Sequence, residues 1–303
     1  MIDLDALASL TAVDQQGSVV GAAAALGFTP SAVSQQIKRL ERQAGVSLLE
    51  RVGRGVMLTE QGRLLVDRGS RLLVDLEEIE AGLHRHAGPV AGTLRMAAFL
   101  PAIRGLVAPE VPVLHAEHPD LEIRLMEREP WDTIELVATG QCEIGVVHSW
   151  GDVPLAIPDH VATHPLTRDI ADVLVPRAHR LAGRTRLTPR DLVGEPWIAT
   201  PDGTICREWL MRMHDGTGKL PRIVHQSTEF ESHIALVAAG LGIALVPRLG
   251  RATLPHGVVA VSVHDPVPTR EISAIVRRSM ERSPSVDAVV STLRATHRPR
   301  QRA

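Results

Sequence analysis

Four side chains with hydrogen-bonding or cationic heads, Ser31, Gln35, Lys38 and Arg42, recur three or four positions apart in FTPSAVSQQIKRLER, residues 28–42. Wound as a helix at about 100° per residue they cluster on one side, while Val33, Ile37 and Leu40 fall within about 60° of one another on the other. One face is built to be buried. The other offers amide, hydroxyl and cationic donors to a DNA major groove, where glutamine reads adenine edges and lysine reads guanine edges or phosphate. An ordinary amphipathic surface helix has the same pattern, so the neighbouring elements must decide.

Upstream, Leu4, Leu7, Leu10 and Val13 recur every third residue and predict a helix over 3–15. Gly17-Ser18 breaks the chain, Ser18 can N-cap a second short helix, and Ala22-Ala23 with Leu26 lets two helices approach closely. Gly27 ends that helix, and Thr29 followed by Pro30 opens the next as an N-cap with proline at the first helical position. This order is that of a helix-turn-helix whose second member enters the groove. Downstream, 48–58 reads as two short strands around a Gly-rich turn, a wing that would carry Arg51 and Arg54 to phosphate or the minor groove. Residues 31–54 hold Lys38, Arg39, Arg42, Arg51 and Arg54 against Glu41 and Glu50, a local charge of +3 in a chain whose total is −2. The positive charge is thus concentrated where groove-facing donors stand.

Leu7, Leu10, Gly17-Ser18, Ala22-Ala23, Leu26, Pro30-Ser31-Ala32-Val33-Ser34, Ile37, Leu40-Glu41, Gly45, Leu48, Arg51, Leu58-Thr59 and Gly62 together resemble the N-terminal signature of LysR-type transcriptional regulators. The likeness is dense over roughly the first 65 positions and departs at Val20, where an aromatic residue is common, and at Leu49, where phenylalanine is usual. It implies that Ser18, Thr29, Pro30, Ser31, Ser34, Gln35, Lys38, Arg42, Arg51 and Arg54 lie at the DNA. A winged helix-turn-helix over 1–58 is the resulting expectation.

A chain of 303 residues, 44% hydrophobic and 22% charged, is long enough for two or three compact units and apolar enough for a sizeable core. No apolar run approaches 18 residues and the acidic start MIDLDAL is unlike a secretory signal, which points to the cytoplasm and away from a membrane. From Thr59, a possible N-cap, Leu65, Leu72, Leu76, Ile79 and Leu83 keep helical spacing over a long linker helix, 59–87, about 42 Å in length. So narrow a stripe fits a dimerisation helix, as in the resembled family; burial against its own chain is the alternative. Gly69 and Gly82 weaken this helix, and Gly88-Pro89 ends it at a linker near 87–92.

The remainder alternates strand and helix: strands over 93–98, 121–127 and 143–148 with helices over 101–115 and 131–139, then an irregular, Pro-rich stretch over 153–165. A second series comes after it, with strands over 170–175, 197–200, 222–225 and 242–246 and helices from 204 and over 229–239. Such βαβ units imply a mostly parallel sheet, and two α/β lobes imply a cleft. The stretches 178–182 and 236–247 resemble the LysR-type effector domain, which is similar to periplasmic binding proteins. That likeness implies crossings near 161–165 and 264–269, a returning strand over 271–277, a last helix over 284–298, and an effector domain over 91–303, with lobe 1 at 91–162 and 268–303 and lobe 2 at 163–267. Residues just past the strand ends are the cleft candidates: Phe99, Leu100, Arg128, Glu129, Ser149, Thr200, Asp202, Thr228, Glu229 and Phe230. Helix N-termini nearby favour an anion, hence a small organic acid; a plain loop or cap role competes at each position.

Other chemistries find little support. Gly240-Leu241-Gly242 lacks the third glycine of a dinucleotide loop and precedes a strand. Fourteen histidines include His115 with His118 and His160 with His164 at ligand-like spacing, but surface histidines explain them better than a metal. No GxSxG elbow, Cys/His signature or paired carboxylates mark a catalyst. Cys142 and Cys206 allow neither a disulfide scaffold nor a CxxC zinc site, and as a redox-sensing pair they fall in different expected lobes without a nearby resolving partner. The four arginines from Arg294 to Arg302 read as a solvated tail. The expectation is therefore a homo-oligomeric, ligand-responsive transcriptional regulator without cofactor or catalysis, whose partners are double-stranded DNA, a second copy, a small-molecule effector and RNA polymerase. A small-molecule binding protein or enzyme whose N-terminal module serves only assembly is the alternative.

Overall fold

The computed structural model describes residues 2–52, 55–84, 90–151, 153 and 155–295, with the backbone alone for 55 and 73–84. Two compact units divide it, 1–83 and 84–303.

In the first unit, Asp3 caps α1 (Leu4–Gln16), its carboxylate accepting the N–H groups of Asp5 and Ala6. Ser18 caps α2 (Val19–Leu26) through Gly21 N–H at 3.0 Å, and Thr29 caps α3 (Pro30–Ala44) through Ala32 N–H at 3.2 Å. Each helix thus begins on a side-chain acceptor for otherwise orphaned amide protons. Val33, Ile37 and Leu40 are buried against Leu10, Val13, Ala22 and Ala23, as the periodicity predicts. Antiparallel β1 (Leu49–Val52) and β2 (Gly55–Leu58) form the wing. Glu41 fixes it to α3: its Oε1 accepts Leu48 N–H at 2.9 Å and Leu49 N–H at 3.3 Å.

Thr59 caps α4 (Glu60–His84) by accepting Gly62 N–H at 3.0 Å. A Cβ at Gly62 would fall on the carbonyl oxygen of Leu48, and one at Gly69 would sit 2.6 Å from Leu7 Cδ1. The two glycines therefore let α4 lie directly on the DNA-binding unit, a gain in contact that offsets their poor helix propensity. Leu65 and Val66, both half-buried, pack on this core. Leu72 is exposed; the side chains of Leu76, Ile79 and Leu83 lie outside the described residues, as do Arg54 and the segments 85–89 and 296–303.

The second unit holds a ten-stranded sheet. In lobe 1, β3 (Gly92–Ala98) pairs in parallel with β4 (Leu121–Glu127) and β5 (Ile144–Trp150). The helical connection from β3 to β4 has three registers: α5 (Leu100–Ala102), a π-turn (Ile103–Val107) and α6 (Ala108–Glu117). Helix α7 (Pro130–Ala138) joins β4 to β5. The expected irregular crossing at 161–165 is instead part of one strand, β6 (Val161–Pro176). Proline gives this stretch an irregular look in the sequence; Pro165 sits where the register shifts, a bulge that spares the missing N–H.

Strand β6 pairs with β12 (Thr269–Arg277) as far as Ile170, and from Ala171 with β10 (Ile243–Pro247) and then β11 (Val258–Val263). The change of lobe along the chain therefore comes at 170–171, later than the sequence boundary at 162. Lobe 2 adds β7 (Arg186–Leu187), β8 (Pro196–Ala199), α8 (Ile205–Met213), β9 (Arg222–Gln226) and α9 (Phe230–Ala238), with β9, β8 and β10 parallel. The short β7 and the apolar β11 have no counterpart among the strands expected from the sequence. The second crossing, 264–268, returns the chain to lobe 1, where α10 (Pro284–Ala295) packs Val286, Val289, Val290 and Leu293 into the core. Gly105 in the π-turn and Gly250 after β10 meet so closely that a Cβ on either would strike the other's backbone neighbourhood, which brings the lobes into contact beside the cleft.

Candidate nucleic-acid interface and effector cavity

On α3, Ser31, Gln35, Lys38 and Arg42 are exposed on the face opposite Val33, Ile37 and Leu40. Among the described residues Ser31, Gln35 and Lys38 have no side-chain hydrogen bond or ion pair, whereas Arg42 Nε donates to Lys38 O at 3.4 Å. Neighbouring polar groups are committed within the domain. Gln36 accepts from Ser9 Oγ at 2.6 Å, Arg39 pairs with Asp3 at 2.6 Å, and Ser34 Oγ donates to Pro30 O at 2.8 Å. Ser18 and Thr29 serve as caps and Pro30 opens the helix. Arg51 is exposed on the wing.

In the second unit a cavity of about 330 Å³ lies between the lobes at the carboxyl ends of the parallel strands, toward the small end of ligand sites. Seven of the ten cleft candidates line it: Phe99, Leu100 and Glu129 from lobe 1, Thr200, Thr228, Glu229 and Phe230 from lobe 2. Three lie elsewhere. Ser149 lines a separate groove with Glu271 and Ser273, Asp202 is exposed and pairs with Arg207 at 3.1 Å, and Arg128 donates through Nη1 to Glu127 O at 2.7 Å.

The residues with the most unsatisfied chemistry in the cavity, Arg270 and His148, are not among those candidates. Strand β12 runs antiparallel to β5 with Arg270 opposite Trp150, so its first residues, not its last, reach the cleft. His148 and Ser149 are successive on β5 and face opposite sides of the sheet, as the period of two demands. Arg270 is 1% exposed. Its Nε donates to Asp169 Oδ2 at 2.9 Å, Nη2 lies 2.8 Å from the same oxygen, and the guanidinium carbon stands 5.0 Å from the centre of the Phe99 ring. Arg270 Nη1 and His148 Nδ1 have no hydrogen-bond partner.

Burial, reinforced by the Arg270 charge, holds the His148 pKa well below its ordinary value, so the ring is neutral. The protein around Glu129 strips part of its hydration and, with Glu127 and Asp132 nearby, raises its pKa; the Arg270 charge pulls the other way. Burial lifts the Cys206 thiol to about 12 and the Cys142 thiol to about 11. Neither is the thiolate that peroxide chemistry requires. Among the described residues no three His, Cys, Asp or Glu are grouped to hold a metal.

His214 and His233 are depressed by burial as well. A histidine whose folded pKa lies below its unfolded one stabilises the fold fully above the unfolded value, near 6.5, and loses that contribution as pH falls below it. Each of the three should steepen the loss by up to about 1.4 kcal/mol per pH unit. Urea midpoints measured between pH 7.5 and 5.5 should fall; a flat profile would contradict neutral, buried imidazoles.

A winged helix-turn-helix with free groove-facing donors, joined to a two-lobed α/β domain enclosing a small cavity, defines a ligand-responsive DNA-binding regulator. Residues 4–63 match the model of the bacterial regulatory helix-turn-helix protein, lysR family, and residues 87–298 match the LysR substrate binding domain. The chain belongs to the LysR family of transcriptional regulators and is not an enzyme. It is 29% identical over 297 residues to the probable transcriptional regulator LrrA of Synechococcus elongatus, covering 97% of each chain. To the hydrogen peroxide-inducible genes activator of Pectobacterium carotovorum it is 27% identical, covering 81% of this chain and 80% of that one. A full-length OxyR variant from Pseudomonas aeruginosa shares its fold, with a TM-score of 0.77 at 20% identity over 100% of this chain and 99% of that one. The assembly-only alternative for the N-terminal module is set aside. No helix among the described residues is long and apolar enough to cross a membrane.

Proposed function

We propose that Ser31 and Gln35 read base edges in the major groove while Lys38, Arg42, Arg51 and Arg54 hold phosphates, with Thr29, Pro30, Ser18 and Ser34 setting the approach of α3. The observation that carries this reading is the face of α3: Ser31, Gln35 and Lys38 are exposed and uncommitted while their polar neighbours Ser34, Gln36 and Arg39 are tied into the domain. The protein acts as a homo-oligomer in the cytoplasm, without a cofactor, and meets RNA polymerase at promoters. Paired heads related by a two-fold axis recognise a partly palindromic site. A small molecule in the cavity between the lobes changes the spacing of those heads.

Two substitutions test the assignment. Lys38→Ala should weaken binding to every sequence and lower the slope of log affinity against log salt by about 0.9, one phosphate contact. Gln35→Ala should relax preference at one base pair, a discrimination of about 1–3 kcal/mol. Binding-site selection on both variants decides: unchanged base preference in Gln35→Ala refutes the groove-facing placement.

A further inference from the structure

The effector cavity carries its charges in two layers. On its inner wall Arg270 and His148 are both at least nine-tenths buried, and each keeps one nitrogen without a partner, Arg270 Nη1 and His148 Nδ1. At its mouth stand three exposed carboxylates, Glu127, Glu129 and Glu229. Glu229 has a cation at 4.0 Å, Arg104, which lies closer, at 3.2 Å, to Glu231; Glu127 and Glu129 have no ion-pair partner among the described residues.

We infer that the effector is a small zwitterion of the amino-acid type, its carboxylate received by Arg270 Nη1 and His148 Nδ1 within and its ammonium by Glu127 and Glu129 at the mouth. The inference rests on the reading of this cavity as the effector site. A molecule carrying only negative charge would supply an acceptor to the inner nitrogens but would lie beside glutamates that repel it, with the Arg270 charge already answered by Asp169. One carrying only positive charge would suit the mouth but leave Nη1 and Nδ1 without an acceptor. A zwitterion answers both layers at once, and about 330 Å³ limits it to a small one. The organic acid favoured by helix N-termini accounts for the inner half of the cavity alone. An ammonium also removes the mutual repulsion of Glu127 and Glu129, which contributes to the raised Glu129 carboxyl.

The test uses the full chain. Thermal-shift measurements followed by titration calorimetry compare the twenty standard L-amino acids with their des-amino carboxylic acids and their decarboxylated amines. At least one amino acid should bind, and loss of either its ammonium or its carboxylate should weaken binding roughly 10- to 100-fold. Glu129→Gln and Glu127→Gln, at solvent-exposed positions, should each weaken the amino acid but not the corresponding des-amino acid. If des-amino acids bind as tightly as amino acids, or bind when no amino acid does, the zwitterion is refuted while the effector site stands. If no probe of any class shifts the protein, the proposal and the effector reading of the cavity fall together.

Discussion

Asp169→Ala is expected to destabilise the effector domain by about 3–5 kcal/mol, because it strands the guanidinium of Arg270 in an interior where Asp169 is its ion-pair partner. Asp169 is 6% exposed and Arg270 1%, so water reaches the pair only by way of the cavity and replaces the lost carboxylate poorly. The substitution also removes the acceptor of Leu249 N–H, bonded to Asp169 Oδ1 at 3.0 Å. One carboxylate thus ties β6 to β12 and to the chain leaving β10, next to the point where β6 changes lobe. Against a typical domain stability of about 5–15 kcal/mol, the loss is large. Tryptophan fluorescence in urea should report it, since Trp150 lies 5.9 Å from the Arg270 guanidinium carbon and 4.9 Å from Trp209. A loss below about 1 kcal/mol would show that the pair behaves like a surface bridge. Asp169→Asn, which can still accept from Leu249 N–H, should fall between the wild type and the alanine variant.

In the DNA-binding unit, Leu40→Ala should cost about 2–5 kcal/mol and abolish specific binding without touching a groove-facing group. Leu40 is completely buried at the centre of a core shared by α1, α2 and α3. A unit of this size buries a modest fraction of its surface and has little reserve. Its loss would let α3 rotate or fray, and the geometry that aligns Gln35 with Lys38 would go with it. Hydrogen exchange on the full chain should show faster exchange across α1–α3, with the effector domain unchanged. Lys38→Ala should leave exchange as it was while weakening DNA binding. Retention of both stability and operator affinity in Leu40→Ala would refute the packing account.

Much of the DNA-binding unit is legible in the sequence because its signals are local. Ser18, Thr29 and Thr59 are caps by type and by position, and Val33, Ile37 and Leu40 mark one side of a single helix. The features that escape depend on approaches between distant segments. Gly69 looks like a weakness in a long helix, yet Leu7 occupies the space a side chain there would need. Leu65 shares a helical stripe with Leu72, yet it is half-buried against the core of its own unit while Leu72 is exposed. In the effector domain, the alternation of strands and helices locates the cleft and seven of its lining residues. His148 escapes because it sits in the apolar run of β5, where the sequence gives no hint of which face it takes, and Arg270 because, between Thr269 and Glu271 at the start of β12, it reads as a solvated charge. The continuity of β6 is hidden by Pro165, whose tolerance depends on a bulge specified by its partner β12, more than a hundred residues further on.

That partnership has a consequence for the order in which the protein can be made. Strand β12 lies between β5 and β6, hydrogen-bonded to both, yet it leaves the ribosome long after either of them. At about 5–20 residues per second, β5 and β6 are complete on the order of ten seconds before β12 emerges. Throughout that interval each presents an open edge to whatever strand is nearest, including those on neighbouring nascent chains. A message cut short before codon 269 therefore yields no half-domain; it yields two sticky edges and no strand to seal them.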